Sequence, residues 1–125
     1  MSTPAELKYT KDHEWIKVEG NKATIGVTDF AQRELGDIVF VEVETVGQSL
    51  NAGDIFGSVE AVKTVSDLYL PVSGTIDELN EDLASAPEAI NQEPYGNGWI
   101  IKMTLSNPEE VNELLDAKAY DELTA

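Results

Sequence analysis

The chain has 125 residues, 24 acidic and 8 basic side chains, a formal net charge of −16 and no cysteine. That length holds one domain around a single core. The charge argues against nucleic acid and anionic membrane surfaces and favours partners with basic faces, and the absence of cysteine excludes disulfides and thiolate metal sites.

Residues 1–5 carry neither a basic region nor an apolar stretch, and no run reaches the length of a membrane-spanning helix. The expectation is a cytoplasmic chain without a leader. Residues 7–10 and 13–19 read as an extended pair, Gly20-Asn21 as a turn, and 22–27 as an alternating strand back. Thr28 is an N-cap for a short helix through Phe30, Arg33 and Leu35, and Gly36 is a C′ residue. Residues 37–44 form a β-branched strand, and 46–54, with Gly47 and Gly53, break it. Ile55, Gly57, Val59 and Ala61 follow a period of two, as do Leu68, Leu70 and Val72. Between them lies a short turn at Val62-Lys63, with Ala61 facing Thr64. Residues 74–79 form a further strand, and Asn80 caps a short helix closed before Pro87. Residues 90–98 read as an irregular loop and 99–105 as the last strand. Asn107-Pro108 opens a helix with Val111, Leu114 and Leu115 on its apolar face, and Asp116 starts a final one carrying Tyr120 and Leu123. Short strands with few helices predict a mainly β fold, a flattened and quasi-symmetric barrel or sandwich with the Lys63 hairpin at one end.

Lys63 stands apart, because Arg33 is the only other basic residue between Lys22 and Lys102. A lysine on a hairpin tip is ordinarily a solvating residue. A tip made only for solubility more often carries Asn-Gly or Asp-Gly; here Val62 precedes the lysine and Thr64-Val65 follow it, with Glu60 three residues before and Gly74 eleven after. The stretch 57–74 resembles the swinging-arm hairpin of biotinyl and lipoyl carrier domains. Biotin carriers have methionine on both sides of the lysine, where Val62 and Thr64 stand here. Glu60-Ala61-Val62-Lys63 is similar to the H-protein family of the glycine cleavage system. So are residues 8–15, 25–32, 35–41, 90–99 and 114–120, in the same order along nearly the whole chain. Two positions depart from that pattern: Ala61, where serine is more frequent, and Phe30, where histidine is.

The resemblance implies a single lipoyl-carrier domain over residues 1–125, a biotinyl/lipoyl-type β core with N- and C-terminal extensions and C-terminal helices. It implies lipoic acid in amide linkage on Lys63, attached by a lipoate ligase or a lipoyl/octanoyl transferase, with Glu60 read by that enzyme. It implies a non-catalytic shuttle between a pyridoxal-phosphate glycine decarboxylase, a folate-dependent aminomethyltransferase and a flavin-dependent dihydrolipoamide dehydrogenase. A cysteine-free chain agrees with this, since the redox sulfurs must come from a cofactor. An aminomethyl group on sulfur is open to hydrolysis, so a cleft for the loaded arm is expected. Glu14 is the candidate to meet its ammonium and Trp15 to wall it. The alternative for Glu14 is a solvated acid on an acidic surface.

His13 is the only histidine and reads as structural or partner-facing. No nucleophile elbow, phosphate loop or dinucleotide fingerprint occurs, and no residues have metal-ligand spacing. With 24 acids, chance carboxylate pairs are unavoidable, so they do not indicate a glycosidase. A biotin carrier and an unmodified acidic docking module remain as rivals. Gly74 is expected at a strand exit with positive φ.

Overall fold

Two features of the sequence, alternation of apolar side chains and glycine or asparagine at the turns, produce two antiparallel sheets. The computed structural model describes residues 4–124. Strands β1 (Lys8–Tyr9), β2 (Glu14–Glu19), β3 (Lys22–Val27), β5 (Ser49–Leu50), β8 (Gly74–Leu79) and β9 (Ile101–Leu105) form one sheet, in the order β1-β2-β3-β9-β8-β5. Strands β4 (Ile38–Glu42), β6 (Ile55–Ala61) and β7 (Val65–Tyr69) form the other, in the order β4-β6-β7. They remain two sheets and do not close into a barrel. Ile25, Ile76, Ile101 and Met103 of the larger sheet and Ile38, Val59 and Leu68 of the smaller one share the main core.

Helix α1 (Asp29–Leu35) joins the sheets. The Thr28 hydroxyl accepts from the Ala31 amide at its start, and Gly36 ends it at φ 83°, a conformation that favours glycine. Asn80 caps a 3₁₀ turn over Glu81–Ala84, as expected. A four-residue helix, α2 (Ala89–Gln92), lies where an irregular loop was expected; it is too short to show a period in sequence. Residues 46–54 likewise contain the two-residue strand β5. Pro108 opens a 3₁₀ turn over Pro108–Glu113, but the Asn107 side chain does not cap it. Helix α3 (Ala117–Thr124) follows.

A second, smaller core forms where the chain ends meet. Leu7, Tyr9, Trp15 and Tyr120 are buried together, and the Tyr9 and Tyr120 rings stack at 4.9 Å. Tyr9 and Leu115 exchange backbone hydrogen bonds, so the C-terminal segment pairs with β1. Among the described residues no helix is long and apolar enough to cross a membrane.

Candidate functional site: a lysine turn on a clamped shelf

Strands β6 and β7 pair through Glu60↔Val65, and the Ala61 amide donates to the Thr64 carbonyl at 2.7 Å. The turn is therefore 61–64, with Lys63 exposed near its apex. It does not stand free. The Val62 amide donates to the Asp37 carbonyl at 3.0 Å. The aliphatic stem of Lys63 lies against Gly36, where a Cβ would come within 3.4 Å of Lys63 Cε. Among the described residues Lys63 makes no ion pair.

The Gly36-Asp37 shelf is held by Asn91 of α2. Asn91 Nδ2 donates to the Gly36 carbonyl at 2.8 Å and to Gln32 Oε1 at 3.0 Å, and its Oδ1 accepts from the Ile38 amide at 2.9 Å. One side chain thus ties the end of α1 to the start of β4, directly beneath the lysine turn. Only the fold brings it there, across 55 residues from Gly36.

Glu60 is exposed on β6. Its Cα partners are Phe40 on one side and Val65 on the other, so it faces outward with them. The structure leaves Glu60 beside the lysine and puts Glu14 elsewhere. Glu14 is only 2 % exposed, which rules out the solvated-acid reading. Its Oε2 accepts from the Tyr69 amide at 2.7 Å and its Oε1 from the Thr10 hydroxyl at 3.3 Å. Burial pushes its pKa up to about 8, against the lowering effect of the Tyr69 hydrogen bond.

Glu14 lines a cavity of about 300 Å³ with Tyr9, Thr10, Asp12, Leu70 and Leu115, between the base of the hairpin and the chain ends. A smaller hollow of about 130 Å³ lies between α1 and β7, lined by Asp12, His13, Glu34, Leu35, Ser66 and Asp67. Asp12 is thus common to both hollows, and Leu35 precedes the glycine on which Lys63 rests.

Trp15 lines neither hollow. Successive strand residues face opposite ways, so Trp15 turns into the second core. Its indole N–H donates to the Pro94 carbonyl at 2.8 Å, and its ring packs on Tyr95. The expectation that it walls the cleft with Glu14 is corrected accordingly. His13, at φ 67°, packs on Phe30, and its Nδ1 is 2.8 Å from Tyr120 Oη, which also meets Thr28 Oγ1 at 2.7 Å. Burial lowers the His13 pKa. The Gly74 expectation also changes: its φ is not positive. A Cβ there would come 2.1 Å from the Thr104 carbonyl oxygen, so the constraint is the close approach of β8 and β9. Among the described residues no cluster of three or more histidine or acidic side chains could hold a metal.

The sequence model described as Glycine cleavage H-protein matches residues 7–125. The glycine cleavage system H protein of Salinibacter ruber is 58 % identical over 124 residues, covering 99 % of this chain and all of that protein. That of Symbiobacterium thermophilum is 59 % identical over 123 residues, covering 98 % and 96 %. The crystal structure of a glycine cleavage system H protein from Mycobacterium marinum superposes with a TM-score of 0.89 at 39 % identity, covering 98 % of each chain.

Proposed function

The chain belongs to the glycine cleavage H-protein family, and on that premise we propose that Lys63 is the residue that carries its lipoyl group. The protein is a non-catalytic lipoyl carrier of the glycine cleavage system and works with the enzymes of that system. The observation that carries the assignment to Lys63 is the shelf. It offers an exposed primary amine with no ion pair among the described residues, on a turn fixed by the Val62–Asp37 hydrogen bond and the Asn91 clamp.

When bound, the lipoyl group supplies the sulfur pair that this cysteine-free chain lacks. Lys63 contributes the amine. Its nitrogen loses two protons as the amide C–N bond forms, and the acyl carbon's bond to its activating group breaks with the electron pair leaving on that group. An ammonium is not a nucleophile, so a lipoate ligase or a lipoyl/octanoyl transferase must supply both the activated acyl group and a route for the protons. Glu60, next to the turn, is the residue that enzyme reads. The whole chain acts as one carrier domain in the cytoplasm. Its specific partners are a pyridoxal-phosphate glycine decarboxylase, a folate-dependent aminomethyltransferase and dihydrolipoamide dehydrogenase.

Glu14 is the protecting group for the loaded arm. Tyr9, Leu70 and Leu115 give its cavity apolar walls beside the buried Glu14 carboxyl. With its pKa raised to about 8, Glu14 passes its proton to the arriving neutral amine of the arm, and the carboxylate left pairs with the ammonium so formed. Glu14→Ala should therefore raise ammonia release from the purified, loaded carrier in the absence of partner enzymes. An unchanged release rate would remove Glu14 from this role. The main reading is tested by reconstitution with the other components of the system. Lipoylated wild type should support glycine cleavage and Lys63→Arg should not, while both melt cooperatively at similar temperatures.

A further inference from the structure

Around the lysine turn the outer face of the three-stranded sheet is apolar, in a chain of net charge −16. Val62 is 75 % exposed, Val65 64 %, Phe40 51 % and Val39 46 %. These residues are contiguous. Phe40, Glu60 and Val65 form one cross-strand row immediately below the turn, and Val62 lies within the turn. A register shift between Ile38 and Phe40 leaves both Val39 and Phe40 exposed instead of alternating them. The next row towards the hairpin base is Glu42, Ser58 and Asp67. The face thus has an apolar centre, one carboxylate held between two apolar side chains, and an acidic border.

We propose that this apolar row, Phe40–Glu60–Val65 with Val39 and Val62, is the docking surface for the enzyme that acylates Lys63. The inference rests on the lipoyl-carrier reading and names the partner's face. The occupant follows from reach. An enzyme that works on Lys63 Nζ must bring its catalytic atoms to the turn itself, so it covers whatever surrounds the turn. An enzyme that works on the far end of the arm can sit a full arm's length away. The surface immediately around Nζ therefore belongs to the acylating enzyme. Its complement is an apolar patch bearing one cation opposite Glu60, with further basic residues facing Glu42 and Asp67. Exposed apolar patches rimmed by polar residues mark interaction sites, and aromatic residues near the centre of a patch dominate binding energy. That makes Phe40 the anchor.

The test uses the unlipoylated full chain as substrate for a purified lipoate ligase with lipoate and ATP. Phe40→Ser and Val65→Ser are each compared with wild type, and Tm and sedimentation are recorded for all three proteins. Each variant should raise KM for the carrier at least about tenfold, the equivalent of about 1.4 kcal/mol. The maximal rate at saturating carrier and the Tm should stay near wild type, and all three proteins should be monomeric. Carriers driven to full lipoylation should then support glycine cleavage at the wild-type rate. Unchanged KM in both variants would overturn the proposal, as would lipoylated variants that fail in glycine cleavage, which would assign the face to the enzymes of that system. A wild-type dimer dissociated by Phe40→Ser would assign it to a second copy. Failure of the underlying reading looks different: wild type itself would take no lipoyl group.

Discussion

Glu14 is the one buried acidic side chain among the described residues, and it separates what a sequence can tell from what it cannot. Its place on an alternating strand was legible; the side it faces was not, because the two choices differ by one residue of register. Trp15 went to the second core and Glu14 to the cavity by that same alternation. The raised pKa has a thermodynamic consequence. Between pH 4.5 and about 8 the folded state holds the Glu14 proton more tightly than the unfolded chain does. Native stability from this group therefore falls as pH rises through that window. Glu14→Gln keeps an acceptor for the Tyr69 amide but cannot ionise. The Tm of the variant relative to wild type should rise steadily from pH 4.5 to 8; a constant difference would contradict the buried, proton-holding state. Gly74 does not have the positive φ expected of it; the constraint there is the close approach to the Thr104 carbonyl. Gly74→Ala should destabilise the fold by about 1–3 kcal/mol in denaturant unfolding, through overpacking against the Thr104 carbonyl. An unchanged midpoint would contradict that close approach.

At the scale of elements, the strands and the α1 caps were readable because each depends on neighbours in sequence. Residues 22–27 alternate along their length and became β3, and residues 74–79 became β8, both with those bounds, although a register shift between Ile76 and Glu78 breaks the alternation of β8. On β6 the register shift between Ile55 and Gly57 exposes Ile55 and buries Phe56, so the simple period of two failed there. Helix α2 was hidden by its brevity, and with it the clamp. Nothing local marks Asn91 as different from other loop asparagines; its three partners come from α1 and the start of β4. Asn91→Ala leaves the Gly36 carbonyl and the Ile38 amide without this partner. The loss should be about 1–3 kcal/mol of stability. It should also free the shelf under the turn, so the Val62 amide, bonded to Asp37, should exchange its hydrogen faster than amides in β9. Uniform acceleration across the molecule would mean that Asn91 serves general stability and not the turn.

At the scale of the whole molecule, the order of the motifs along the chain identified the family, and the fold explains why the flanking regions accompany the hairpin. The N-terminal strands and the C-terminal segment pair with each other through Tyr9 and Leu115, and their shared core walls the cavity that Glu14 lines. That meeting was invisible in sequence, since Tyr9 and Leu115 are far apart and Leu115 reads as part of a helix face, whereas it lies beyond the Pro108–Glu113 turn and bridges to Tyr9. The net charge of −16 acts over the same scale by steering basic partners. Lipoylation at low carrier concentration should slow about tenfold between about 0.02 and 0.5 M salt, while the rate at saturating carrier changes little. A salt-independent rate would remove electrostatic steering from the account. The central claim is that one lysine, on the clamped turn, carries the arm. Peptide mapping of the wild-type chain after exhaustive lipoylation, beside the intact mass of Lys63→Arg treated identically, tests it directly. The expected result is a single lipoyl group on the peptide containing Lys63 and no mass gain in Lys63→Arg. A lipoyl group on any other lysine, or one retained by Lys63→Arg, would contradict it.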